Sequence, residues 1–432
     1  MDAKRSYFYK KFFLIYGFGR SGYASYKFLS KKNNCKIIDD NQKNIPSKYK
    51  HKTINYYQLK KNNFDYIVLS PGIDINKCKL SKYLKKNRIK IITELDIFYL
   101  SYPNIKKVTV TGTNGKSTTS KLLYDILKDH GKDVRLTGNI GNPTLLEKNL
   151  NNKTLFIIEA SSYQLEYSKF FKSEYSIILN LSPDHLERHG SFKNYIKAKF
   201  KLIQNQSKND YAFIEKKNYL INNLIKKNRI KPKIFRVNYK KYNRYHRSIT
   251  NEYLRNLPNF KNLSFIFAIS KNLKLSLKKI INVVNKFKQL EFRQQIVYQS
   301  EKLTIINDSK STSLSSTLPL LKSLKNIYWV LGGIAKKGDK FKLEKKNFKK
   351  IKAFIYGKDK LFFSKVFLNK IQYKISKNLN HALLQVFKDL KKNGGQKKIL
   401  LFSPSAASFD QFSNFEKRGE YFNKIIKKHL KN

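Results

Sequence analysis

One stretch constrains this chain more than any other: Val108-Thr109-Val110-Thr111-Gly112-Thr113-Asn114-Gly115-Lys116-Ser117-Thr118-Thr119. A β-branched run enters a glycine-punctuated turn and then Lys-Ser-Thr. From Ser120 to His130 the apolar residues Leu122, Leu123, Ile126 and Leu127 recur at helical spacing. In a strand, glycine-rich loop and helix of this kind, backbone N–H groups close on phosphate oxygens and the helix N-terminus adds partial positive charge. Lys116 is placed to reach terminal phosphates, and the Ser117 hydroxyl to ligate Mg²⁺. The loop is a shortened variant, because Val110 stands where the general pattern has its first glycine. It reads as a nucleoside-triphosphate site.

With 432 residues, 41% of them hydrophobic, the chain is long enough for roughly two to four domains. The formal net charge is +61, from 90 basic and 29 acidic residues, a field that favours anionic ligands. The lysines are spread over the whole chain rather than gathered in one arm, and no RNP, KH or zinc pattern occurs. The charge therefore reads as a bias of composition, and no nucleic-acid partner is expected. Two cysteines, Cys35 and Cys78, make neither a disulfide framework nor a metal-site spacing. There is no signal-peptide pattern and no apolar run near the ~18 residues of a membrane span, so the expectation is a soluble, cytoplasmic protein without stable membrane insertion.

Ahead of the phosphate loop, the strand Lys11 to Tyr16 leads into Gly17-Phe18-Gly19-Arg20-Ser21-Gly22 and a helix. The next strand, Cys35 to Ile38, ends in Asp39-Asp40. This is the dinucleotide fingerprint in outline, and it speaks for pyrophosphate more firmly than for nicotinamide. A third strand, Asp65 to Leu69, ends in Ser70-Pro71-Gly72-Ile73, at the carboxyl edge where open α/β sheets bind ligands. Past the phosphate loop, Leu155 to Ile158 delivers Glu159-Ala160-Ser161-Ser162, and Tyr175 to Leu179 delivers Asn180-Leu181-Ser182-Pro183-Asp184-His185. Glu159, Asp184 and His185 with Ser117 form a plausible Mg²⁺ set; equally, Asp184 caps the next helix and His185 is a satisfied surface histidine. Lys199 falls in a basic helix from Ser191 to Gln206 and reads, on side-chain chemistry alone, as solvated. Residues 209–270 say little. Further on, strands at Leu303 to Ile306, Ile327 to Leu331, Ala353 to Tyr356 and Ile399 to Phe402 alternate with helices, and Lys336, Lys337 and Asp339 follow Gly332-Gly333. The fold class is α/β: three domains, each an open, mostly parallel sheet with flanking helices, at 1–97, 98–289 and 290–432. The first and last are Rossmann-like and the middle one is a P-loop ATPase.

Seven motifs occur in one order: T-G-T-N-G-K-S-T, G-N-I-G, E-A-S-S-Y-Q-L-E, N-L-S-P-D-H-L-E-R-H, N-D-S-K-S-T-S, L-G-G-x-x-K and S-P-S-A-A-S-F-D-Q-F-x-N-F-x-x-R-G. Together they resemble the Mur ligases, and the last block is most similar to the members that add D-glutamate. The resemblance implies an ATP- and Mg²⁺-dependent enzyme of peptidoglycan precursor synthesis, monomeric, with UDP-N-acetylmuramoyl-L-alanine and D-glutamate as substrates and an acyl phosphate between them. Carried over residue by residue, it implies that Gly112, Thr113, Asn114, Gly115, Lys116, Ser117 and Thr118 hold the nucleotide, with Asn139, Asp184, Asn262, Arg293 and Asp308. Lys116, Glu159, His185 and Lys199 would be catalytic. Ser117, Glu159, His185 and Lys199 (carbamylated by CO₂) would ligate metal. Gly17, Gly19, Ser21, Asp39 and Gly72 would lie around the UDP moiety, Lys310, Thr312, Lys336, Ser408 and Phe415 would grip the D-glutamate, and Ser162 and Phe409 would also bind substrate.

Three places depart from the family pattern. Phe292-Arg293 replaces His-Arg, Lys261-Asn262-x-x-Phe265 replaces His-Asn-x-x-Asn, and Asp40-Asn41 replaces Thr-Arg.

Overall fold

Runs of β-branched and aromatic residues, buried on both faces in the central strands, build three sheets that are parallel but for one edge strand. The computed structural model describes residues 7–336, 339, 341–392 and 396–431; Lys337 lies outside the described residues. The chain divides into two compact units, Met1–Phe287 and Lys288–Asn432.

The first unit holds two of the sheets. Strands β1 (Phe12–Tyr16), β2 (Asn34–Ile38), β3 (Tyr66–Leu69) and β4 (Ile91–Ile92) pair in the order β2-β1-β3-β4. Strands β5 (Lys106–Thr111), β6 (Val134–Gly138), β7 (Leu155–Glu159), β8 (Tyr175–Ile178), β9 (Tyr211–Glu215) and β10 (Lys233–Val237) pair in the order β10-β9-β8-β5-β7-β6. Every pairing in both is parallel. In each sheet the strand order reverses beside its first strand, β1 or β5, which opens a crevice at the carboxyl ends. The loops 17–22 and 70–73 border the first crevice; the loops 112–115 and 179–185 border the second.

The two sheets are joined through the Glu94–Ser101 helix. Thr93 and Asp96 form a capping box at its start, which leaves the other oxygen of Asp96 free to reach the second sheet. That Oδ1 accepts from Ser168 Oγ at 2.8 Å and from three consecutive amides, Lys169, Phe170 and Phe171, at 3.0, 2.8 and 2.9 Å. Asp96 is wholly buried, so these donors replace the water it has lost. Apolar packing continues the join, with Phe98, Ile97 and Leu95 in one cluster with Phe156, Ile158 and Phe171.

The second unit holds β11 (Gln295–Gln299), β12 (Leu303–Asn307), β13 (Ile327–Gly332), β14 (Ile351–Tyr356), β15 (Gln372–Ile375) and β16 (Lys398–Phe402), in the order β11-β12-β16-β13-β14-β15. Only β11 runs antiparallel. Trp329 and Phe367 pack on one face of this sheet, and Phe354, Phe402 and Phe422 on the other.

Candidate active site

The phosphate loop leaves β5 through Gly112 (φ +147°) and enters the Lys116–Asp129 helix through Gly115 (φ +84°). A Cβ on Gly115 would strike the Asn262 side-chain amide, so both backbone and space demand glycine there. Asn180, just past β8, clasps the loop: Oδ1 accepts from Asn114 N at 2.8 Å, and Nδ2 donates to Asn114 O at 2.9 Å and to Asn262 Oδ1 at 3.2 Å. Its carbonyl accepts from Thr113 N. Thr113 Oγ1 in turn accepts from Ser182 N at 3.0 Å and shares a hydrogen bond with Tyr195 OH. Ser117 is fully buried in the first turn, and Thr118 Oγ1 bonds Tyr253 OH at 3.2 Å. Asn180 and Tyr195 hold the phosphate loop from positions that motif spacing alone does not mark. The available signal for Asn180 is its place as the first polar residue after a buried strand.

Lys199 corrects its side-chain reading. It is 1% exposed, not solvated, and its Nζ donates to Gly112 O at 2.9 Å and Thr111 Oγ1 at 3.3 Å. Burial, reinforced by the neighbouring Lys116 cation, holds its amine well below the ordinary lysine range, against the pull of Asp184 and Glu159. Lys116 Nζ donates to Gly112 O and to Thr113 O at 3.0 and 2.8 Å.

Glu159 ends β7 and is 1% exposed. Asn139 Nδ2 donates to its Oε1 at 2.8 Å and the Asn139 amide to its carbonyl at 2.9 Å, so the two candidates are brought together. His185 has a left-handed backbone (φ +53°) and leads the short Leu186–His189 helix. Its Nδ1 shares a 2.9 Å hydrogen bond with Tyr163 OH, and its Nε2 lies 3.4 Å from Asp184 Oδ2. Asp184 does not cap the Leu186–His189 helix, whose N-cap is His185 with no side-chain capping bond; it accepts from the adjacent His185 N at 2.9 Å. Ser162 is buried and bonds His189 Nε2 at 3.0 Å. Burial first, then the Arg188 cation, lowers His189 to about 4 and keeps that ring neutral.

At the first crevice the fingerprint glycines divide their work. Gly17 has φ +88°, and a Cβ there would sit 2.7 Å from Ser70 Cβ. A Cβ on Gly22 would run into the Gly17 carbonyl, whereas one on Gly19 meets nothing within 4 Å. Two glycines thus serve packing, and the open one leaves room for a close ligand. Asp39 accepts from Phe18 N at 2.6 Å and from Asn41 N at 2.8 Å, bracing the turn. Asp40, a departure, accepts from Tyr16 OH at 2.8 Å. Ser21 Oγ donates to the buried Glu94 at 2.7 Å. Gly72 follows β3, and the Ser70 hydroxyl donates to Gly17 O at 2.7 Å, joining the two loops.

In the second unit Asp308 is buried at the end of β12. It accepts from Gln294 N at 3.1 Å and Ser403 Oγ at 2.8 Å. Burial raises it to about 7, although those bonds and the Arg293 cation oppose the rise. Lys310 Nζ lies 4.8 Å from the centre of the Phe415 ring. Ser408 is buried, Thr312 is exposed, and Phe409 is 71% exposed on an open cleft shared with Ile334, Gly357, Lys358, Asp410 and Gln411. Lys310, Thr312 and Lys336 do not line that cleft. The other departures serve packing: Phe265 is in the core, and the Phe292 ring lies where a side chain on Gly419 would be.

These residues supply hard oxygen donors beside a phosphate loop. Among the described residues no group of three or more His, Cys, Asp or Glu side chains gathers as a metal set. Ser117 and Glu159 are hard oxygen donors of the kind that Mg²⁺ takes alongside phosphate oxygens.

Comparison with known proteins gives consistent results. Residues 110–288 match the Mur ligase middle domain. The chain is 34% identical, over 96% of its length and 96% of the relative's, to the UDP-N-acetylmuramoylalanine–D-glutamate ligase of Rickettsia felis. It is 35% identical to the enzyme of that name from Buchnera aphidicola, covering 98% of this chain and 99% of the relative. The fold is similar to the UDP-N-acetylmuramate–alanine ligase of Thermotoga maritima, with TM-score 0.56 and 18% identity over 97% and 99% of the two chains. It is also similar to the MurF ligase of the same organism in complex with ADP, with TM-score 0.54 and 14% identity over 98% and 97%.

Proposed function

The chain belongs to the Mur ligase family, and from that premise we infer that it joins D-glutamate to UDP-N-acetylmuramoyl-L-alanine at the expense of ATP, in peptidoglycan precursor synthesis. The observation that carries the site assignment is the phosphate loop of the first unit, clasped by Asn180 and underlain by buried Lys199. We assign the UDP substrate to residues 1–97, ATP to 98–289 and the amino acid to 290–432.

ATP supplies the phosphoryl group that turns the alanyl carboxylate into an acyl phosphate, from which the D-glutamate amine displaces phosphate. The residues explain how two anions are brought to react. Loop amides and Lys116 hold the phosphates, and the Lys116 charge offsets the repulsion between triphosphate and carboxylate. Asn139 orients Glu159 through the 2.8 Å bond. Tyr163 fixes the His185 ring. Mg²⁺ would be held by Ser117, Glu159, His185 and, once carbamylated, Lys199, and it would spread the phosphate charge. The depressed Lys199 supports that modification, since only the uncharged amine adds CO₂, releasing one proton as the N–C bond forms. Arg293 and Asp308 are assigned to the nucleotide, and Lys310, Thr312, Lys336, Ser408, Phe409 and Phe415 to D-glutamate, whose carboxylates call for cations.

No helix among the described residues is long and apolar enough to cross a membrane. We place the enzyme in the cytoplasm as a monomer.

The decisive experiment is phosphate release from ATP with the UDP-muramoyl-alanine precursor and each amino acid in turn. D-Glutamate alone should drive turnover. Equal release with L-alanine or a diamino acid would overturn the specificity, and no release with D-glutamate would overturn the assignment.

A further inference from the structure

Arg188 lies in the short Leu186–His189 helix that follows β8, and its side chain is only 6% exposed. Its Nε donates to Glu166 Oε2 at 2.9 Å. Its Nη2 donates to Ile73 O at 2.6 Å, with Nη1 3.5 Å from Gly72 O. The guanidinium also lies over two rings, 5.0 Å from the centre of Tyr163 and 5.6 Å from that of Tyr167. One planar group therefore touches the loop after β3 in the first sheet and the helix Ser162–Glu166 of the second. A second bond runs alongside it, from Lys77 Nζ to Glu187 O at 2.6 Å.

Each end of this bridge leads to a different part of the site. On one side Gly72 and Ile73 continue from Ser70, whose hydroxyl holds the Gly17 turn. On the other, Tyr163 beneath the guanidinium bonds His185, and Glu166 lies 3.7 Å from His189 Nδ1, whose ring holds Ser162. A fork that donates in two directions while stacking on aromatic faces needs arginine. A lysine ammonium keeps the charge but lacks the planar spread of donors.

We propose that Arg188 is a positioning residue: it sets the UDP-side loop at Gly72–Ile73 against the strand-end residues 184–185, so that the UDP-linked carboxylate arrives at the phosphate loop in register. The proposal rests on the ligase reading above. It assigns Arg188 no contact with reacting atoms.

The test is Arg188→Lys, with Glu166→Gln as a milder second variant, in the full-length enzyme. Precursor binding is titrated without ATP, and KM is measured separately for the precursor, ATP and D-glutamate. In Arg188→Lys precursor affinity should fall about tenfold or more, with KM for ATP changed less than about twofold. Glu166→Gln, which keeps the Ile73 bond, should show the same split at smaller size. Unchanged precursor affinity in Arg188→Lys, or equal losses for all three substrates, would overturn the proposal. Should Arg188→Lys fail to fold, Glu166→Gln decides alone: the split supports the proposal, and no split overturns it. Wild-type turnover with the precursor and D-glutamate, run in parallel, tests the ligase reading separately.

Discussion

Lys116 and Lys199 donate to the same oxygen, the carbonyl of Gly112, at 3.0 and 2.9 Å. Two amines meeting on one acceptor in a buried place cannot both stay charged cheaply, and the more buried of them, Lys199, has the depressed affinity for protons. The arrangement prepares the loop for polyanions before any is bound.

Lys199 gives a pH signature. Its native value lies below the ordinary one of about 10.4, so between the two the unfolded chain binds the extra proton. Its contribution to stability is complete above about pH 10 and is lost as pH falls toward the native value. Urea unfolding in CO₂-depleted buffer should show stability rising with pH across that window, and Lys199→Met should flatten the rise. The same substitution should abolish turnover.

Asp308 predicts the opposite slope. Its carboxyl is raised from the ordinary 3.8 to about 7, so the native state keeps a proton that the unfolded chain releases. The stabilisation is present below about pH 4 and lost as pH rises through about 7. Asp308→Asn should remove this slope while keeping an acceptor for the Gln294 amide, a comparison made by unfolding at pH values on either side of that range.

Removing the Asn180 side chain deletes both bonds to Asn114 and the one to Asn262. At about 1 kcal/mol net per bond the three sum to about 3 kcal/mol, and Asn180→Ala should lower kcat/KM for ATP by up to about 150-fold. Steady-state kinetics with ATP varied would show it, and D-glutamate saturation should shift little.

Gly19 and Gly115 separate ligand space from loop strain. Gly19 has an ordinary φ of −71° and open space around it. Gly19→Ala should keep its melting temperature yet bind the UDP precursor more weakly, because a methyl group occupies the ligand's approach. Gly115→Ala has both a left-handed backbone and the Asn262 side chain against it. It should lose nucleotide binding and about 1–2 kcal/mol of stability. Thermal melts and nucleotide titration distinguish the two.

The central strands were legible because each is an apolar run ending in polar residues, as Leu155–Glu159 shows. The strands without that signal are mostly edges: Lys233–Val237, Gln295–Gln299 and Gln372–Ile375 each hold few buried residues and follow no clear alternation. The Leu257–Asn272 helix was opaque for the opposite reason, since it is buried along most of its length and so presents no single apolar stripe. Among site residues, the phosphate loop could be read from local chemistry. Lys199 could not, because its burial is decided by Thr111 and Gly112, 88 and 87 positions away in the chain. Asp39 was legible as an acid at a strand end, but its observed partners are the Phe18 amide of the glycine turn and, in its own loop, the Asn41 amide and the Asn44 side chain.

The four donors gathered by Asp96 Oδ1 come from one short segment, 168–171. Prying the first two sheets apart there would strand a buried anion and three amides together. Breaking that junction would therefore cost more than any one of its bonds, because no water waits there to take their place.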